Sequence, residues 1–246
     1  MTVLSVNVNK IALLRNSRGR NYPDVLAFVR RLLALGVKGI TVHPRPDERH
    51  VTRQDVVDIT ELLKDYPGVE FNIEGYPSEE FLAMVERVRP AQCTLVPDAP
   101  DQLTSDHGWD VPAHAGELRR ILDRLRQAGV RSSLFLDPVP ELVDAAAGVG
   151  ADRIELYTES YAAAFGTDRQ DAVLADYAAT AARARELGIG LNAGHDLDLD
   201  NLATFLQIPG IEEVSIGHAL VAHALFVGFK GAVAEMKALI LAAAKA

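Results

Sequence analysis

Apolar positions along this chain recur with two periods. Val25, Phe28, Val29 and Leu32 fall at i, i+3, i+4 and i+7, which predicts one buried face of a helix that Gly36 then stops. Leu118, Ile121, Leu122 and Leu125 repeat the pattern ahead of Gly129. Similar spacing occupies about 52–65, 78–88, 139–147, 170–187, 198–206 and 219–244. Between these segments lie short runs rich in β-branched residues, at 3–8, 39–42, 69–73, 92–96, 131–136, 153–156, 190–192 and 213–216. Several are almost wholly apolar, as parallel strands covered on both faces should be. Eight strands in strict alternation with eight helices predict an α/β fold built on a parallel sheet. Eight units in 246 residues favour a closed (β/α)8 TIM barrel over an open doubly wound sheet. No Pro/Gly/Ser-rich linker divides the chain, so residues 1–246 read as one domain. The longest irregular pieces, about 97–113 and 157–169, both follow strands and would lie on the catalytic face, where loops serve as lids.

Composition narrows the partners. The net charge is −9 and no basic stripe is visible, so nucleic acid is not an expected partner. Phosphates stay open, because local arginines and backbone amides decide that binding. The single cysteine, Cys93, permits no intrachain disulfide and fits a reducing cytoplasm. The first residues lack the basic and apolar regions of a signal peptide, so a cytoplasmic protein is expected. The most apolar region, 219–244, is interrupted by His223, Lys230, Glu235 and Lys237. It reads as a helix buried on several sides, partly in a subunit interface, and not as a membrane span. There is no Gly-x-Gly-x-x-Gly, no Walker loop and no Cys-x-x-Cys or His-x-x-x-His pair. Neither a nucleotide nor a bound redox cofactor is expected, and no metal site is assigned.

The chemistry concentrates just after the strands, where α/β barrels place their ligands. In Gly39-Ile-Thr-Val-His43-Pro-Arg45-Pro-Asp47-Glu-Arg49-His50 an apolar run stops at a histidine, and two arginines and a second histidine follow. Histidines move protons near neutral pH and arginines present forks to phosphate or carboxylate, so the cluster points to small anionic molecules. His43 is either a capped strand end or a proton-transfer group, and its strand-end position favours the second. Arg45 is the better ligand candidate, whereas Arg49 reads as a solvated turn residue paired with Asp47 or Glu48. His50, at a helix start, fits capping and phosphate contact equally. Glu74 ends an apolar strand, where burial would raise its pKa toward that of a general base; a salt bridge to an arginine is the alternative. Glu155 lies within a strand whose alternate residues face the barrel interior, so it needs a partner or a catalytic use. Asn7, Asn9, Lys10 and Arg18 follow the first strand, and Thr104 follows the fourth. Gly194-His195 and Gly217-His218 close consecutive strands, where glycines let a phosphate approach backbone N–H groups, and His218 also opens the last helix. His107, His114, His223, Cys93 and Trp109 read as structural.

In this order the motifs resemble the pyridoxine 5′-phosphate synthase family of vitamin B6 biosynthesis. The resemblance covers nearly the whole chain and rests on Val6-Asn-Val-Asn9, Leu14-Arg-Asn-Ser-Arg18-Gly, Tyr22-Pro-Asp24, the His43–His50 segment, Cys93-Thr-Leu-Val-Pro97, Leu191-Asn-Ala-Gly-His195 and Ile216-Gly-His218-Ala. It implies a (β/α)8 barrel with additional short helices, assembled as an octamer. It also implies condensation of 1-deoxy-D-xylulose 5-phosphate with 3-amino-2-oxopropyl phosphate. The same resemblance casts His43 and Glu74 as general bases, His195 as general acid and Glu155 as an electrostatic stabiliser. Asn7 and Arg18 would hold one phosphate substrate and Arg45, His50 and Thr104 the other, with Gly217 and His218 binding phosphate through the last loop. The chain departs from the family pattern at Asn9-Lys10, where Asp-His is usual, at Asp196, where glycine is usual, and at Thr158-Glu-Ser-Tyr161. Asn9, Lys10 and Asp196 are thus substrate-binding positions with altered charge. Two other readings compete: a barrel isomerase, epimerase or aldolase turning over a single sugar phosphate, and a catalytically silent protein that only binds phosphometabolites.

Overall fold

A computed structural model describes residues 2–98 and 106–244. The first half runs β1 (Val3–Asn7), α1 (Asn9–Asn16), α2 (Val25–Ala34), β2 (Gly39–Val42), α3 (Arg53–Leu63), β3 (Glu70–Gly75), α4 (Glu79–Val88) and β4 (Gln92–Leu95). The second half runs α5 (Val111–Gln127), β5 (Arg131–Leu136), α6 (Pro140–Val149), β6 (Arg153–Leu156), α7 (Glu159–Ala164) and α8 (Gln170–Leu187). It ends with β7 (Gly190–Ala193), α9 (Leu202–Phe205), β8 (Ile211–Ile216) and α10 (His218–Ala243). Each strand pairs in parallel with the next, and β1 pairs with both β2 and β8, closing the barrel.

The helices form where the sequence supplies a stripe and a start. α2 buries Val25, Phe28, Val29, Leu32 and Leu33, while Asp24 caps it by accepting the Ala27 N–H at 2.8 Å. Gly36, at φ 76°, then takes the left-handed turn that lets the chain enter β2. α3 opens on a capping box in which Thr52 and Asp55 exchange hydrogen bonds. Asp55 also accepts two bonds from the Arg15 guanidinium, which ties α1 to α3 beneath the His50 loop.

The strands alternate more than their apolar look suggests. Leu4, Val6, Ile40, Val42, Ile73, Leu95, Ile154 and Val214 are buried against the helices. Their neighbours are polar and also buried: Ser5, Thr41, Asn72, Gln92, Thr94, Ser133, Glu155, Asn192, Glu213 and Ser215. The registers place Thr41 beside Asn72, Asn72 beside Gln92, Glu155 beside Asn192 and Asn192 beside Glu213, so these residues form the barrel interior. Branched apolar residues fill most barrels. Here polar side chains occupy the interior, some of them hydrogen-bonded: Asn192 donates to Gln92 at 3.2 Å, and Arg153 donates to Asn192 at 2.8 Å.

Three features differ from the periodicity reading. Residues 9–16 form a helix directly after β1, and 159–164 form another inside the stretch read as irregular. Both are too short to show a clear apolar stripe. The long last helix is broken at Gly228, whose φ of 75° and ψ of 156° are not helical. No helix among the described residues is long and apolar enough to cross a membrane.

Candidate active site

A cavity of about 640 Å³ opens at the carboxyl ends of the barrel strands. Twelve residues singled out from the sequence line it: Asn7, Asn9, Lys10, His43, Arg45, His50, Glu74, Glu155, His195, Asp196, Gly217 and His218. Arg18 does not. It is exposed beyond α1, in a separate surface depression with Leu14, Ser17, Arg20, Tyr22 and Pro23. Thr104 lies outside the described residues. Arg49, read as solvated, lines the cavity as well and is held at 2.7 Å by Asp47. The lining also contains Thr94, Asp98, Phe135 and Ser215, which the strand-end reading passed over. Thr94 and Ser215 belong to the buried polar alternation, and that period-2 signal could have found them.

Short bonds fix the first sector. Asn7 Oδ1 accepts the Asn9 N–H at 3.0 Å, and Asn9 Oδ1 accepts the His43 N–H at 2.9 Å. Asn7 Nδ2 reaches Glu74 at 3.4 Å. The ends of β1, β2 and β3 are thereby joined through two asparagines. Asn16 donates to the carbonyls of Glu48, Arg49 and His50, and Arg15 adds a bond to His50, so α1 shapes the loop after β2. His50 Nδ1 accepts the Val51 N–H at 2.9 Å. That nitrogen therefore carries no proton, and the ring presents an Nε2–H donor. Buried Arg45 pairs with buried Asp98 at 3.4 Å.

Glycines let the backbone close in at two points. A Cβ on Gly194 would stand 2.3 Å from the Ser215 carbonyl, and one on Gly217 would stand 3.0 Å from the Asn7 Cβ. Both glycines are needed by the packing of β7, β8 and β1, whatever they also offer a ligand.

The electrostatics divide the cavity. Burial and the neighbouring Arg45, His50 and Arg49 push His43 down to about 3, so it is a neutral base near pH 7. Burial, Arg45 and Arg49 likewise push His50 down to about 4. Burial raises Glu74 well above the usual carboxylate range, and the charges of Glu155, Glu213 and Asp98 add to the rise. Burial raises Glu155 too, against the pull of His195 and the Thr94 hydrogen bond. At His195 burial works downward, but the Asp196 hydrogen bond and the charges of Asp196, Glu155 and Asp98 outweigh it and hold the imidazole above its ordinary value. The site thus contains neutral imidazoles, carboxyls raised above their usual range and one imidazole held above its ordinary value, with arginines at one side. Such a set can move protons to and from a bound anion repeatedly. Among the described residues no group of three or more His, Cys, Asp or Glu side chains is placed to hold a metal ion.

Comparison with known proteins gives the same direction. Residues 4–242 match the family described as pyridoxal phosphate biosynthesis protein PdxJ. A pyridoxine 5′-phosphate synthase of Bacteroides thetaiotaomicron is 52% identical over 238 residues, which is 96% of this chain and 98% of the relative. One from Porphyromonas gingivalis is 51% identical with the same coverage, and one from Albidiferax ferrireducens is 50% identical, covering 94% of each chain. Among solved structures, a native KDPGal structure aligns with a TM-score of 0.64 at 16% identity, covering 99% of this chain and 96% of that one. A tryptophan synthase α-subunit from Pyrococcus furiosus aligns with a TM-score of 0.61 at 15% identity, covering 97% and 95%. At such identities these two structures speak for the barrel alone.

Proposed function

From the premise that this chain belongs to the pyridoxine 5′-phosphate synthase family, an enzyme of vitamin B6 biosynthesis acting on small phosphorylated substrates, we propose how its cavity performs the reaction. The substrates are 1-deoxy-D-xylulose 5-phosphate and 3-amino-2-oxopropyl phosphate, and the products are pyridoxine 5′-phosphate, inorganic phosphate and water. The observation that carries this reading is the coexistence, in one cavity, of a neutral His43, a Glu74 whose raised pKa makes it a stronger base than an ordinary carboxylate, and a His195 held above its ordinary value. Imine formation, phosphate loss, dehydration and ring closure each need a proton taken from one atom and given to another. His43 and Glu74 take protons, and His195 gives one to a departing oxygen. Glu155, buried beneath them, stabilises cationic intermediates.

Arg45 and the His50 Nε2–H bind the phosphate of the deoxyxylulose substrate. The Gly217 and His218 amides at the start of α10 bind the second phosphate, where the helix dipole favours an anion. Asn7 orients the aminoketone through the side that faces Glu74. Asn9 holds the His43 backbone, and Lys10 adds a positive charge at the rim. Arg18 lies outside the lining of this chain's own cavity, so the phosphate role that the resemblance gives it requires Arg18 to be brought there by movement or by assembly. A cytoplasmic homo-oligomer, octameric by the family resemblance, completes the reading.

The purified protein incubated with both phosphates should form pyridoxine 5′-phosphate and release phosphate. No product at high enzyme concentration would refute the substrate assignment. Turnover of either compound alone would favour a single-substrate isomerase or aldolase.

A further inference from the structure

We propose that Asp196 is a positioning residue that holds the His195 ring through Nδ1, so that the imidazole meets the substrate as an Nε2–H acid. The proposal rests on the reading of His195 as the general acid and adds what makes it one. Asp196 Oδ2 lies 3.2 Å from His195 Nδ1, and both side chains line the cavity. With Nδ1 committed to the carboxylate, the proton that His195 delivers is the one on Nε2.

The backbone gives an independent argument. Asp196 has φ 64°, in the left-handed region, one of three non-glycine residues there among those described. A glycine would take this conformation without steric cost, and an Asp is strained in it. The turn does not need the carboxylate. Leu197 N–H bonds the Gly194 carbonyl at 3.0 Å, and Asn201 Nδ2 bonds the Asp196 carbonyl at 3.1 Å. Strain kept at a site where the backbone is otherwise determined points to a use for the side chain.

The surroundings favour a charged ring. Glu155 and the phenol of Tyr157 face His195 from β6 and its end, Asp98 faces it from beyond β4, and His43 faces it from beyond β2. His218, at the start of α10, acts on Asp196. Burial pushes the Tyr157 phenol up to about 12, so it stays neutral, and His43 is neutral too. The carboxylates therefore set the field at His195, and Asp196 Oδ2 meets its ring at 3.2 Å. After proton transfer His195 is left neutral, still oriented by the same carboxylate.

The test uses the full-length protein with Asp196→Asn and Asp196→Gly. Histidine-selective NMR, with the His195 signal identified by its loss in His195→Gln, reads the imidazole pKa directly. The alkaline limb of kcat against pH reads its use. Because both side chains are partly exposed, removing the charge should lower the His195 pKa by about 0.5–1 pH unit. The alkaline limb should move down by the same amount, further in Asp196→Gly than in Asp196→Asn, which keeps an acceptor oxygen. The thermal midpoint should stay within about 3 °C, since glycine suits the left-handed turn. An unmoved His195 pKa would overturn the proposal. A lowered pKa with an unmoved alkaline limb would instead overturn the general-acid reading on which it rests.

Discussion

After β2, His43 and His50 sit beside Arg45 and Arg49; after β7, His195 sits beside Asp196, with Glu155 and Asp98 close by. All three imidazoles share one cavity and one solvent, and their ordinary pKa is the same. Burial lowers all three; the arginine sector lowers His43 and His50 further, and the carboxylate sector lifts His195 above its ordinary value. A neutral imidazole accepts a proton and a charged one donates it, so the neighbours, not the residue type, assign base and acid. The comparison also explains how a phosphate site and a base can be the same sector. The arginines that attract an anion add to the burial that keeps His43 unprotonated.

Glu74 stands between the two sectors, bonded to Asn7 and raised by burial and then by Glu155, and its loss is the hardest blow to the comparison. Glu74→Gln keeps the shape and removes the base. We expect kcat to fall by about 10²–10⁴-fold while the binding of each phosphate, read by calorimetry, changes little. Unchanged kcat would mean that proton transfer runs entirely through the histidines. Arg45→Lys is milder. Lysine keeps the charge but loses the fork that serves both Asp98 and a phosphate. We expect KM for the sugar phosphate to rise about 10- to 100-fold with a smaller change in kcat. A fall in kcat at constant KM would show that Arg45 serves the transition state instead.

Much of this was legible in the sequence for physical reasons. Strands such as those at 39–42, 131–136 and 153–156 appear with the bounds read from their runs, because burial on the outer face demands branched residues. His43, Glu74, Glu155 and His195 converge because strand ends of a closed barrel must. What was missed has causes too. The polar barrel interior is hard to read because its residues interleave with apolar ones: Ser5, Asn72 and Gln92 each sit in a short run dominated by buried apolar neighbours. Arg49 reads as solvated because an Arg beside an Asp in a turn usually is; only the fold shows that the turn borders the cavity. The strain at Asp196 was invisible, since a backbone angle follows from the turn and not from the residue's chemistry.

The smallest effect is also the cleanest test of the two sectors, because it needs no substrate. His50 has a folded pKa of about 4, below the value of a free histidine, so the unfolded chain binds the extra proton between those values. Stability tied to His50 is therefore present above about pH 6.5 and is lost as pH falls, by about 1.4 kcal/mol per pH unit in that window. His195 has the opposite shift. Its folded pKa lies above the free value, so its contribution is full below about pH 6.5 and is lost as pH rises through the folded pKa. Urea midpoints at pH 5.5 and 7.5 separate the two. Relative to the parent protein, His50→Gln should gain stability on going to pH 5.5, and His195→Gln should lose it. Any constant penalty for the substitutions cancels between the two pH values. Slopes of the same sign would show that both histidines sit in the same electrostatic environment, and the division of the cavity into a base side and an acid side would fall.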